Sequence, residues 1–320
     1  MPEITGPLPT EATDQLRVLT SALDAVIPPK RLDDNLLIAT WNLRAFGDVT
    51  EKWRSEKGDS PQRDLLSVLC IAKIASRFDV IAVQEVKDNI KGLRDMMKVL
   101  GPEWGFLLTD TNRGDPGNDE RMAFVYDSRR VKPSGLACEL VILPAKNPEF
   151  LEGQFARPPY AASFISAGQT FILTTLHILF GKKPADRVDE LAEIAKWMAD
   201  WARREQSWGH NLICLGDFNI DRAGDPNYEA FTSSGLTPPS ELEALPRTIF
   251  ASKDDANFFD QIAWFKRESG VPYLTLNYTG IAGNFDFVDS VMTDLDRNSL
   301  SWHISDHYPL WAEFSVRPTT

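Results

Sequence analysis

NLICLGDFN (residues 211–219) is an apolar run closed by Asp217, Phe218 and Asn219. A segment this dense in apolar side chains predicts a strand covered on both faces. In extended backbone, Asp217 and Asn219 point one way and Phe218 the other. The two polar groups can then meet one phosphate or one metal ion while Phe218 enters the core.

Further segments of the same kind lie on both sides. LLIATWN (36–42), DVIAVQE (79–85), RMAFVYD (121–127), FFDQIAWF (258–265) and HYPLWAEFSV (307–316) read as strands. AASFI (161–165) and TFILTTLHI (170–178) flank a Ser-Ala-Gly-Gln turn and read as a hairpin. Tyr308, Leu310, Ala312, Phe314 and Val316 alternate, so the last strand is expected to bury one face. Helices are expected from Ser60-Pro61, after Asp88 (Ile90, Leu93, Met97, Leu100) and from Pro184 (Val188, Leu191, Ala195, Met198, Ala202). Strands alternating with helices place the chain in the α/β class.

Residues 1–34 read as an extension. Leu16, Leu19, Leu23, Val26 and Ile27 give it one amphipathic helix, stopped by Pro28-Pro29. One-sided apolar helices mostly face a core, so this reading is preferred to a helix that recruits a protein partner. No repeat or linker divides the remainder, which reads as one domain over 35–320. Loops at 45–60, 110–120, 143–159 and 237–257 are long enough to carry function.

The 320 residues are 43% hydrophobic, enough for an extensive core. The formal net charge of −12 argues against a protein that grips nucleic acid by a basic surface. It leaves open an enzyme that meets phosphate through a metal. No stretch is long and apolar enough for a membrane span, and the N-terminus has no secretory pattern. Cys70, Cys138 and Cys214 are widely spaced and flanked by apolar residues, which predicts buried free thiols and a cytoplasmic protein.

The polar residues that matter fall at strand ends: Asn42, Glu85, His177, Asp217, Asn219 and the Asp306-His307 pair. A buried charge is costly unless paired or metal-bound, so such groups are expected to converge. Glu85, Asp306 and Asn42 offer hard oxygens with no cysteine nearby, which favours Mg²⁺ or Mn²⁺ over zinc. His177 and His307 can divide proton donation and acceptance, and Asp260 can fix an imidazole tautomer. Each has an ordinary reading alone: an Asx turn for Asp217 and Asn219, a turn cap for Asp306, a helix-dipole partner for Glu85. Their joint occurrence points to phosphodiester chemistry.

TWNLR, VQEV, LHI, GDFN, FDQIAW and ISDHYPL occur in an order that resembles the endonuclease/exonuclease/phosphatase superfamily, specifically its deoxyribonuclease I-like branch. QEVKD, ERMAFVYDSRRV and ARPPYAASF are also similar to stretches of that branch. The resemblance implies an α/β (α+β) four-layer sandwich: two mainly antiparallel sheets face to face, with helices on both outer sides. It implies that Asn42, Glu85 and Asp306 form the metal site and that Glu85 also serves catalysis. His177 is then the acid for the leaving group, and Asp217 and Asn219 position water and phosphate. His307, oriented by Asp260, is the base or phosphate stabiliser. Arg44, Arg157 and Arg121 are the expected phosphate contacts.

The expected function is a Mg²⁺-dependent endonuclease on DNA. The alternative is a phosphatase or phosphodiesterase on a lipid headgroup or small-molecule phosphate, resembling sphingomyelinases or inositol-phosphate phosphatases. An inactive binding module is the third reading, disfavoured because every site position is filled. Departures bear on this choice. The loop TNRGDPGNDE keeps Arg113 but is acidic, which puts tight duplex binding in doubt. Trp53 and Phe150 are the candidates for loop tips that enter a lipid surface, and Asp119 or Glu120 for shaping the acidic loop.

Overall fold

Strand β1 (Asn35–Phe46) shows why the chain folds in layers. Leu36 and Ile38 enter one core while Leu37, Ala39 and Trp41 enter another, so the strand is buried on both faces. The computed structural model describes residues 2–113, 117–141, 157–204, 211–251, 257–266, 272 and 274–317. The helices are α1 (Thr10–Val26), α2 (Leu65–Ala75), α3 (Lys91–Leu100), α4 (Val188–Arg204), α5 (Pro226–Thr232) and α6 (Arg297–His303). After β1 come β2 (Val80–Lys87), β3 (Trp104–Leu108), β4 (Glu120–Asp127), β5 (Lys132–Glu139), β6 (Tyr160–Ser166) and β7 (Gln169–His177). The remaining strands are β8 (Asn211–Asp217), β9 (Leu236–Thr237), β10 (Asp260–Phe265), β11 (Asn277–Asn284) and β12 (Leu310–Ser315).

Two six-stranded sheets result, ordered β11-β12-β1-β2-β4-β3 and β5-β6-β7-β8-β10-β9. Each has one parallel pair at its centre, β1–β2 and β7–β8, and is otherwise antiparallel. The halves repeat one topology although the sequence holds no repeat. Side chains of β1, β4, β6, β7, β8, β10 and β12 fill the core between the sheets. Residues of α1, α2 and α3 cover the outside of the first sheet, and residues of α4 and α5 the outside of the second. This is the four-layer sandwich that the resemblance implies. α1 belongs to the outer layer: Leu19 and Leu23 are fully buried, Gln15 Nε2 donates to Ser290 O, and Gln15 Oε1 accepts from Met292 N.

The structure corrects several local expectations. The helix expected at Ser60-Pro61 starts instead at Leu65, because the Pro61 and Arg63 carbonyls accept from Thr50 and Asp64, in extended backbone, caps the Ser67 N–H. β12 buries both faces, not one: Trp311 and Glu313 are 3% and 1% exposed. Glu313 is tolerated there because Asn35, Arg31 and Thr279 donate to its carboxylate. Cys70 and Cys214 are buried, but Cys138 on edge strand β5 is only half-buried. Trp53 packs against the outer core and is no exposed tip, and Phe150 lies outside the described residues. No helix of the described residues is long and apolar enough to cross a membrane.

Gly216 sets the geometry beside the site. Its φ is +145°, and an added Cβ would lie 2.2 Å from Leu176 O. A larger residue would push β8 off β7, whose register places His177 opposite Asp217.

Candidate active site

The C-terminal ends of both parallel pairs meet at one edge of the sandwich. Antiparallel neighbours contribute their first residues to the same edge: Asp260 pairs with Asp217, and Glu120 opens β4 next to the end of β2. The backbone is unusual here. Arg44, Ala45, Glu85 and Asn219 all have positive φ (38°, 49°, 59° and 50°), and the β1–β2 ladder is interrupted between Asn42 and Phe46. Non-glycine residues in this region are costly and cluster at functional sites.

Asn42 is the hub. Its Oδ1 accepts from the Arg44 N–H, so its Nδ2 faces the site, donating to Glu85 Oε1 at 2.9 Å and Asp217 Oδ2 at 3.0 Å. Glu85 Oε2 accepts from Ala45 N. Asp217 Oδ1 accepts from Asn219 N, and Asn219 Nδ2 donates to Ile178 O. Arg187, buried beneath, donates to the Asn219 carbonyl.

Two imidazoles converge on one oxygen. His177 Nε2 lies 3.7 Å and His307 Nε2 3.9 Å from Asp217 Oδ2. His307 Nδ1 donates to Asp260 Oδ2 over 2.6 Å, and Asp260 is fully buried. Burial opposes charge on His307, but Asp260, Asp217 and Asp306 outweigh it and hold the imidazole well above its ordinary pKa. Burial pushes the Asp260 carboxyl up to about 6, with Asp217 adding to the rise and His307 and Arg247 opposing it. Burial also disfavours ionised Asp217, yet His307, His177, Asn42 and the Asn219 N–H keep its carboxyl below the usual range.

His177 has a different partner, one that strand-end reasoning placed only as a loop-shaping residue. Its Nδ1 stands 3.0 Å from Glu120 Oε2, and Arg157 Nε stands 2.8 Å from the same oxygen. Both approaches lie off the line of a hydrogen bond. Lys87 and Asn118 donate to Glu120 Oε1. Burial raises the Glu120 carboxyl, but His177, Arg157 and Lys87 bring it down to about 2. Glu120 precedes RMAFVYD, and the available signal was an acid at the start of an antiparallel strand.

The arginines divide. Arg44 lies at the site edge, with Nη1 3.5 Å from Asp306 Oδ2 and bonded to Ser301 Oγ. Arg157 is buried behind His177, where it also donates to the His177 carbonyl. Arg121 is turned to Thr109 O and Asp88, and Arg113 also faces Asp88, at 3.8 Å.

Arg63 had no signal in the sequence. Its guanidinium is buried and donates to five carbonyls, those of Leu43, Arg44, Ala45, His303 and Ile304. It ties the loop after Asn42 to the segment before Asp306 and His307. Among the described residues no carboxylate stands within ion-pair distance. Burial lowers its pKa to about 10, while Glu85 and Asp306 act to keep it charged.

The donor set suits a hard cation. Glu85, Glu120 and His177 each offer a ligand atom within 4.8 Å of the others. Glu120 is already paired with Lys87 and Arg157 and faces His177, whereas the side chains of Glu85 and Asp306 are 22% and 27% exposed. Open carboxylates above a buried arginine fit an oxygen-liganded divalent ion.

These elements define a phosphoric-ester hydrolase class, and sequence comparison agrees. The Endonuclease/Exonuclease/phosphatase family model matches residues 39–307, and the chain belongs to that family. It is 29% identical over 303 residues to a Deoxyribonuclease of Thioalkalivibrio sp. (strain K90mix), covering 91% of this chain and 74% of the relative. Two solved structures share the fold. TDP2 of D. rerio, complexed with a single-strand DNA product, has a TM-score of 0.56 at 15% identity and covers 88% of this chain and 98% of that one. A mannosyl-6-phosphatase of Bacteroides thetaiotaomicron has a TM-score of 0.54 at 20% identity, covering 87% and 99%.

Proposed function

We propose that the protein is a Mg²⁺- or Mn²⁺-dependent endonuclease that hydrolyses DNA phosphodiester bonds. The observation that carries this reading is the approach of two imidazole Nε2 atoms, each with a carboxylate behind it, to Asp217 Oδ2. Hydrolysis of a phosphodiester needs a proton acceptor for water, a proton donor for the leaving oxygen and positive charge on the phosphate.

Asp217, ionised and oriented by Asn219, receives the proton as the water oxygen bonds to phosphorus. Cationic His307 directs Nε2–H at the phosphate as charge builds, with Asp260 holding Nδ1. His177, backed by Glu120 and Arg157, donates the proton that the departing oxygen takes as the phosphorus–oxygen bond breaks. Glu85 and Asp306 would hold the divalent ion beside Asn42, and the ion supplies charge neutralisation at the phosphate oxygens. Arg44 is the proposed phosphate contact, while Arg157 acts as a positioning residue.

The name of the Thioalkalivibrio relative supports DNA as substrate. One observation favours the second reading, a small or lipid-headgroup phosphate: Arg113 and Arg121 face Asp88, so the acidic loop offers little to a duplex backbone. Supercoiled plasmid separates the two. Nicking in Mg²⁺, stopped by EDTA and by His177→Ala, is the expected result. Turnover of phosphomonoesters or sphingomyelin with no nicking at any ionic strength would contradict it.

A further inference from the structure

Three aromatic rings stand in water around the site. Phe180 is 58% exposed, Phe250 49% and Trp302 44%; Phe106 is the one other exposed aromatic among the described residues. Exposed rings scattered singly need no explanation, but three beside one catalytic edge do. Phe180 follows His177 by three residues, and the Arg187 guanidinium that bonds the Asn219 carbonyl lies 4.8 Å from its ring centroid. Arg44, beside Asp306, lies 3.9 Å from the Trp302 ring centroid. Phe250 follows Ile249, whose N–H bonds the Asp306 carbonyl at 2.9 Å, and Thr248 bridges to His307.

Phe180 and Trp302 are thus each backed by a guanidinium that is itself anchored to the site. A ring held flat in this way is a platform for another planar ring. The charge of −12, with Arg121 turned to Thr109 O and Asp88, leaves Arg44 as the main cationic contact for a phosphate at the site. Uncharged stacking must then supply affinity. Bases inside a duplex already have both faces covered, so only unpaired bases can use such platforms.

We propose that Phe180, on the His177 side, and Trp302 with Phe250, on the His307 side, are nucleobase platforms that make the site prefer an unpaired DNA strand. This rests on the nuclease reading and narrows it. The three rings come from separate segments next to the polar residues of the catalytic edge, an arrangement that suits successive bases of one strand better than insertion into a lipid surface.

The test is binding in EDTA, which stops hydrolysis, with three oligonucleotides of equal length. One is a single strand carrying 2-aminopurine, one is its duplex, and one is an all-abasic strand with the same phosphates. Vesicles of phosphatidylcholine and sphingomyelin form a fourth arm. The base-bearing single strand should quench on binding and bind at least about tenfold more tightly than the duplex or the abasic strand. Phe180→Ala should weaken it by about tenfold and leave abasic binding unchanged, and Trp302→Ala should weaken it by about tenfold more than it weakens abasic binding, since Arg44 rests on that ring. Equal binding of base-bearing and abasic strands, or ring-dependent binding to vesicles alone, would overturn the platforms. The outcomes also separate the two proposals: cleavage of DNA without regard to bases removes only the platforms, whereas failure to cleave any polynucleotide removes the nuclease reading itself.

Discussion

The two histidines, one ending β7 and the other preceding β12, approach the same Asp217 oxygen but are held by opposite means. His307 has one dedicated partner, Asp260, sealed from water and bonded at 2.6 Å. Asp260 Oδ1 has no hydrogen-bond partner, so little besides the imidazole and the Arg247 guanidinium offsets the buried charge. His177 instead leans on a carboxylate shared with Arg157, Lys87 and Asn118. One pair keeps an imidazole cationic and rigidly aimed. In the other, Arg157 and Lys87 stay beside the carboxylate when the imidazole gives up its proton, so the buried anion keeps cationic partners.

That contrast can be broken by mutation, beginning with the largest effect. His307→Ala and His177→Ala should each lower kcat on DNA by about 10²–10⁴, read by oligonucleotide hydrolysis in Mg²⁺. Asp260→Asn should follow at about a hundredfold, because nothing else fixes Nδ1 of His307. Glu120→Gln should cost about tenfold or less, since Glu120 meets the ring off the line of a hydrogen bond and the Arg157 and Lys87 cations remain. Equal losses from the two substitutions would remove the distinction.

Arg63→Met leaves five carbonyls without their donor. It should lower the unfolding free energy by about 3 kcal/mol, read by urea denaturation, and raise the Mg²⁺ concentration needed for half-maximal rate. A variant as stable as wild type would show that the guanidinium does not clamp the two loops.

The pairs also predict opposite slopes of stability with pH. Glu120 is depressed from 4.5 to about 2, so the stability it contributes is present above pH 4.5 and lost as pH falls toward about 2. Asp260 is raised from 3.8 to about 6, so by itself it costs stability as pH rises through that window. His307 acts against this cost. With its folded pKa raised, it contributes stability that is full below 6.5 and lost as pH climbs through the higher folded value. Melting temperatures from pH 2 to 9 should therefore lose part of their acid limb in Glu120→Gln and part of their alkaline decline in His307→Asn. The smallest effect expected is that of Arg113→Ala, less than about twofold on rate, because its exposed pairing with Asp88 at 3.8 Å is weak.

Much of this was legible in residues that must be buried. The inner strands β1, β2, β7, β8 and β10 announce themselves as apolar runs because both faces are covered. Edge strands β3, β5 and β11 do not, since each pairs on one side only: β3 is short and leaves Phe106 exposed, and β5 and β11 expose polar or small residues. The same logic divides the candidate site. Asn42, Glu85, His177 and Asp217 end dense runs and were visible as polar groups where a core stops. Glu120 begins a strand, and only the antiparallel pairing of β4 with β2 brings it to the same edge. Arg63 acts through backbone carbonyls of distant segments, a relation that no spacing encodes.

The central claim is a division of labour, with His177 supplying the proton to the leaving oxygen and His307 the charge on the phosphate. The most direct measurement compares each variant on two phosphodiesters, a DNA strand and a nitrophenyl ester whose phenolate departs without a proton. His177→Ala should lose about a hundredfold or more on DNA and nearly nothing on the nitrophenyl ester, while His307→Ala loses heavily on both. An equal loss by His177→Ala on the two substrates would contradict its role as the acid, and an undiminished rate for His307→Ala on either would contradict the charge assigned to it.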